Sequence, residues 1–115
     1  MSLEGAIVAR FVADVTALID GGADVVEAIG KVAETTVAEA ADFGEDLTVA
    51  ATSVVKGAIV AAADLVVTAE AAAAAAANGA INAAADVSAN AAGRVRDTVT
   101  GVIDGVKVVV ESVVA

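Results

Sequence analysis

The sequence repeats itself every 22 residues, and this period limits the folds that the chain can adopt. Residues 57–64 (Gly-Ala-Ile-Val-Ala-Ala-Ala-Asp) match residues 79–86 (Gly-Ala-Ile-Asn-Ala-Ala-Ala-Asp), and residues 35–42 occupy the same phase one repeat earlier. An apolar column at this spacing contains Val15, Val37, Ile59, Ile81 and Ile103. An acidic column contains Asp20, Asp42, Asp64 and Asp86. Periods of about 20 to 50 residues usually define a whole fold, so we expect one structural unit per repeat.

A third column marks where helices begin. It contains Asp24, Asp46, Thr68 and Asn90, which are residue types preferred at helix N-caps because their side chains accept hydrogen bonds from free backbone N–H groups. Gly22 and Gly44 stand just before the first two caps and can adopt the left-handed conformation that closes a helix, whereas Val66 and Ser88 stand at the later equivalent positions. The spacing predicts helices near residues 3–20, 24–42, 46–64, 68–86 and 90–113.

The predicted fold is all-α. The connections of about three residues favour antiparallel neighbours, so we expect an up-down antiparallel helical bundle or a short helical-repeat array, with about five helices in a single domain over residues 1–115. A period of 22 is also twice 11, and an 11-residue period allows one helix to continue with slight right-handed supercoiling. Because Val66 replaces glycine, fusion of the third and fourth helices is a further alternative.

The outward faces of the predicted helices differ in character. The second helix carries Glu27 and Lys31, and the fifth carries Arg96 and Asp97, which is ordinary solvated amphipathic patterning. The third and fourth helices have small or apolar residues instead, among them Val49, Val60, Ala71 and Ala74. Two interpretations stay open: these helices are central in the bundle, or these four residues form an interaction face for self-assembly or surface binding.

The residue types that are absent exclude several kinds of chemistry. Without His or Cys the chain has neither the usual imidazole and thiolate zinc ligands nor a Ser-His or Cys-His nucleophile pair. Carboxylate pairs such as Asp20 and Asp24 fit helix caps better than a calcium loop, which needs more oxygen ligands at ordered spacing. The net charge of −10 opposes binding to nucleic-acid phosphates. We therefore expect no enzymatic activity, no cofactor, no metal site and no nucleic-acid partner.

Membrane insertion is also not expected. A spanning helix needs about 20 largely apolar residues, and Lys56, Asp64, Glu70 and Asp86 interrupt the most apolar region. The first five residues contain no basic region followed by a long apolar stretch, so no secretory signal is expected and cytoplasmic location is the default.

Three short runs carry a family resemblance. Residues 54–59 (Val-Val-Lys-Gly-Ala-Ile), 77–81 (Ala-Asn-Gly-Ala-Ile) and 100–107 (Thr-Gly-Val-Ile-Asp-Gly-Val-Lys) resemble uncharacterised Ala/Gly-rich bacterial helical-repeat proteins, over about residues 30–110. More loosely, the chain is similar to phasins, perilipins and exchangeable apolipoproteins, whose 11- and 22-residue helical repeats coat lipid or polymer surfaces. That similarity implies a lipid or storage-polymer coat as the alternative to our main expectation, a scaffold that assembles into homo-oligomers. The alphabet, which lacks Pro, Cys, His, Trp, Tyr and Gln, also suits a designed bundle with no evolved role.

Overall fold

Five helices and one short hairpin form the described part of the chain, residues 3–110 of a computed structural model. The helices are α1 (Leu3–Asp20), α2 (Val25–Asp42), α3 (Leu47–Ala62), α4 (Ala69–Val87) and α5 (Ala89–Val99). They are followed by strands β1 (Gly101–Ile103) and β2 (Val106–Val108), which pair antiparallel. The prediction of an all-α bundle with five helices is confirmed for these residues.

The first two junctions are built as the sequence indicates. Gly22 and Gly44 have φ values of 99° and 70°, and each closes the preceding helix in the left-handed conformation. Asp24, Asp46 and Thr68 stand at the N-caps of α2, α3 and α4. Each side chain accepts a hydrogen bond from a backbone N–H two or three residues further on, at 2.9 to 3.2 Å. These bonds satisfy donors that would otherwise lack a partner in the first turn.

Helices α3 and α4 are separate, so the fused alternative is wrong. After Ala62 the chain continues in tight turns, in which the N–H groups of Ala63, Asp64 and Leu65 donate to carbonyls three residues earlier. Thr68 then adopts an extended conformation and starts α4. A helix can therefore end here without glycine, because these tighter bonds satisfy its last carbonyl groups.

The fifth helix corrects two expectations. Its N-cap is Ser88, whose Oγ accepts from the Ala91 N–H at 3.0 Å, while the predicted cap Asn90 lies exposed within the first turn. The helix ends at Val99 and not near residue 113; residues 111–113 lie outside the described part of the chain. The physical reason is Gly101, whose φ of 112° takes the backbone out of the helix. The turn at Asp104 and Gly105, with φ values of 50° and 81°, then closes a two-residue hairpin.

Helix α4 occupies the centre of the bundle. It packs against α2, α3, α5 and β2, and contacts also join α1 to α3. The α2–α4 and α1–α3 pairs skip one helix along the chain, so the repeats form a bundle and not a linear array. The apolar repeat column lines the interior: Val15, Val37 and Ile81 are fully buried, Ile103 is buried in β1, and Ile59 is half-buried.

Candidate interaction surface

The four residues predicted to form an interaction face are divided between two helices of different exposure. On α4, Ala71 is exposed and Ala74 is half-buried, but nine of the 19 residues of this helix are buried, and eight of those nine are Ala or Gly. Burial within one chain therefore accounts for most of the apolar character of α4. On α3, Val49 and Val60 are 36% and 55% exposed. Among the four predicted residues, those that expose a large apolar side chain to solvent therefore lie on α3.

We define the α3 outward face as Val49, Thr52, Lys56, Val60 and Ala63. These residues recur at intervals of three or four, which places them along one side of the helix. Val49, Val60 and Ala63 are exposed, and the two polar residues between them are half-buried. The face therefore presents an apolar residue at each end with a polar centre.

The charge at the centre of this face is neutralised within the chain. Lys56 Nζ donates to Glu4 Oε1 of α1 at 3.0 Å. This hydrogen bond and the Glu4 charge raise the pKa of Lys56, and Asp104 in the hairpin turn acts in the same direction. Because an opposite charge offsets its own, Lys56 opposes contact with an apolar partner less than an isolated ammonium group would.

Several other exposed apolar residues lie near helix ends or in and after the hairpin, and sequence reasoning did not identify them as exposed. Phe43 is 78% exposed at the end of α2, and Val66 is fully exposed in the α3–α4 connection. The hairpin adds Val102, and Val109 follows it, also exposed. Val66 had a usable signal, since it stands where earlier repeats have glycine in an exposed turn. These residues are dispersed over different elements and are not on the α3 outward face.

A groove of about 370 Å³ lies between the start of α3 and α5, and Asp46, one of the two acidic residues that line it, is already hydrogen-bonded. Asp46 accepts from the Thr48 backbone N–H at 2.9 Å and from the Thr48 hydroxyl at 2.6 Å. The Thr48 hydroxyl and N–H lower the pKa of Asp46, and the positive charge of Arg94 across the groove contributes in the same direction. A carboxylate stabilised as an N-cap in this way is a poor general base. Asp46 therefore serves as a helix cap in this groove.

Residues 3–110 contain neither a metal-binding cluster of side chains nor a membrane-spanning helix. That part of the chain contains no group of three or more acidic side chains arranged to hold a metal ion. Its helices are all too short or too polar to cross a membrane.

Comparison of the chain with protein-family models, with curated proteins and with solved structures gave no match. The resemblance to helical-repeat and lipid-coating proteins therefore gains no support from these comparisons.

Proposed function

We propose that this chain is a non-enzymatic structural module that associates with further copies of itself through the α3 outward face. The observation that supports the proposal is the pair of exposed valines, Val49 and Val60, on either side of an internally neutralised Lys56. In a two-fold dimer each residue of such a face is used twice, so the valines at its two ends can pack against the same face of a second copy.

The exposed fraction of the two valines determines how strongly we expect the chains to associate. Fully burying a valine contributes about 1.5 to 3 kcal/mol, and Val49 and Val60 have roughly half of their surface left to bury. Four such side chains in a dimer contribute about 4 kcal/mol, before the cost of lost translational and rotational freedom. Even without that cost, about 4 kcal/mol corresponds to a Kd of about 1 mM, so association should be weak, with a Kd of about 1 mM or above. Because each chain carries a net charge of −10, added salt should strengthen it.

The test is the molar mass in solution, measured by light scattering over a hundredfold range of concentration. The wild-type mass should rise above the 11.0 kDa monomer as concentration increases. The variant Val60→Asp should remain monomeric, because a carboxylate would be buried without a partner. Val66→Asp is the matched control: it adds the same charge at a fully exposed site outside the α3 outward face and should associate like the wild type. Equal association of both variants, or a wild type that stays at 11.0 kDa throughout, contradicts the proposal.

A second candidate is a reversible coat for lipid or storage-polymer surfaces, in which the bundle opens so that its buried faces contact the surface. Its support is the composition of the centre of the bundle: the buried side of α4 is Ala and Gly apart from Ile81. Small side chains bury little apolar area each, so separating α4 from its neighbours costs less than opening a core of large residues. Unchanged helicity together with no co-flotation with neutral droplets would exclude this candidate.

A further inference from the structure

The junction between α4 and α5 is a single residue in an otherwise helical backbone. The Ser88 N–H donates to the Ala84 carbonyl at 3.1 Å, and the Ser88 carbonyl accepts from the Ala92 N–H at 3.1 Å. Both are the hydrogen bonds of a continuous α-helix. Only the dihedral angles of Ser88, φ −170° and ψ 159°, interrupt it. The residues from Val87 to Asn90 include neither Gly nor Pro, so a change at Ser88 alone would join residues 69–99 into one helix of about 46 Å.

Straightening this junction in a single chain would uncover apolar surface. The segment after Ser88 contributes buried residues from both α5 and the hairpin, namely Ala92, Val95, Val99, Ile103 and Val108. The contacts of this segment are with α3 and α4. A monomer with a straight α4–α5 helix therefore loses the packing of residues 89–108, whereas two chains that exchange this segment keep it.

We infer that the surface of α3 and α4 that holds α5 and the hairpin also binds the same segment of a second copy, by exchange about Ser88. The partner is a second copy because the exchanged segment makes the contacts that it already makes within one chain. Very short connections favour exchange of this kind, and here one residue, Ser88, separates the two helices. Straightening also gives the N–H groups of residues 89–91 the helical acceptors that they lack in the bent form. The exchange does not depend on the α3 outward face.

Two substitutions act on the junction in opposite directions. Ser88→Ala removes the side chain that accepts from the Ala91 N–H and replaces it with the best helix former. Loss of this cap weakens the bent form by about fivefold per chain, so the association constant of the exchanged dimer should rise by about 25-fold. Ala89→Pro fits the bent form, because proline is accepted at the first position of a helix and requires the extended conformation that Ser88 already has. In the straight helix it would clash with the carbonyl of Ala85.

The experiment is to refold each variant from denaturant at high and at hundredfold lower chain concentration and then measure its mass by light scattering. Ser88→Ala should give more dimer than the wild type after refolding at high concentration, and this dimer should dissociate slowly on dilution because exchange requires opening. The double variant Ser88→Ala/Ala89→Pro, which lacks the same cap, should be monomeric.

The outcomes separate this inference from association through the α3 outward face. A Ser88→Ala dimer that is abolished by Ala89→Pro but not by Val60→Asp supports exchange. Monomeric Ser88→Ala at both concentrations overturns the inference, as does equal dimer in the double variant. A Ser88→Ala chain whose circular dichroism shows an unfolded protein also overturns it, since exchange would then fail to restore the packing of α5.

Discussion

The close approach of α2 and α4 makes a prediction whose sign can be worked out from the structure. Gly79 lies in the interior of α4, where replacement of Gly by Ala would ordinarily stabilise a helix by about 1 kcal/mol. A Cβ at this position would overlap the backbone carbonyl oxygen of Gly30 in α2. It would also lie 3.2 Å from Ala33 Cβ and 3.2 Å from the Glu34 backbone nitrogen. Most of these neighbours are helix backbone and cannot rotate aside, so the two helices have to separate.

The magnitude follows from two opposing terms. Overpacking a well-packed interior costs about 1 to 3 kcal/mol, and we take the upper value because backbone has to move. Subtracting the propensity gain of about 1 kcal/mol leaves Gly79→Ala less stable by about 2 kcal/mol. With an unfolding entropy of about 2.1 cal/mol/K per residue, a chain of 115 residues should lose about 8 °C in Tm.

The matched control is Gly93→Ala in α5, where an added Cβ meets no heavy atom within 4 Å. This variant gains helix propensity without a clash, so its Tm should rise by about 4 °C. Thermal unfolding followed by circular dichroism measures both. Two chemically identical substitutions should therefore shift Tm in opposite directions. If Gly79→Ala is as stable as Gly93→Ala, the helices do not cross at Gly30 and Gly79 as closely as described, and the reasoning fails.

Two electrostatic predictions concern helix ends. Because the pKa of Asp46 is lowered in the folded chain, its ionised form contributes stability above the unfolded pKa of about 3.8. This contribution is lost as the pH falls through the lower folded pKa. In urea unfolding, the wild type should therefore be more stable than Asp46→Asn at neutral pH, and the difference should vanish well below pH 3.8. Asp42 is the last residue of α2, where no basic residue offsets the negative end of the helix dipole, so Asp42→Lys should raise the unfolding free energy by about 0.5 kcal/mol. A gain in the Asp42→Lys variant that does not shrink in high salt would contradict the electrostatic cause.

The first four helices could be predicted from sequence because their ends are determined locally. A glycine that takes positive φ and an Asp or Thr that accepts from the following N–H groups act within a few residues of one another, at Gly22, Asp24, Gly44 and Asp46. Such signals depend little on the rest of the chain. The ends of α1, α2 and α4 accordingly fall within one residue of the predicted positions, and α3 ends two residues early.

The hairpin was missed because the 22-residue helical repeat was extended over residues whose side chains follow a strand pattern. Ile103 keeps its place in the apolar column and is buried, but it does so from a strand, where the neighbouring Val102 points out to solvent. Alternation of this kind is a period of two and not of 3.6. The pair Asp104 and Gly105 between β-branched residues was the available signal, and it is a strong one for a two-residue hairpin turn.

The exposure of the proposed interaction face was harder to predict, for a reason of tertiary structure. An apolar outward side of a helix predicts that this side is covered, but not whether the same chain or another chain covers it. The structure resolves this differently for each helix: α4 is enclosed by three other helices and a strand, while α3 keeps Val49 and Val60 exposed. How many helices surround a given helix depends on the whole fold, so the sequence pattern of that helix alone cannot predict it.

The repeat nevertheless contains one tertiary rule that becomes visible only with the structure. Gly57 and Gly79 occupy the same repeat position, and each lies against the helix two places earlier in the chain. A Cβ on Gly57 would lie 2.8 Å from Phe11 Cδ1 of α1. A Cβ on Gly79 would overlap the Gly30 carbonyl of α2. The next member of this column is Gly101, which would pack α5 on α3 by the same rule. Gly101 instead has a φ of 112° and lies in β1, beyond the end of α5. The glycine that lets two helices approach in the third and fourth repeats thus lets the backbone leave the helix in the fifth, which is why the helical repeat ends there.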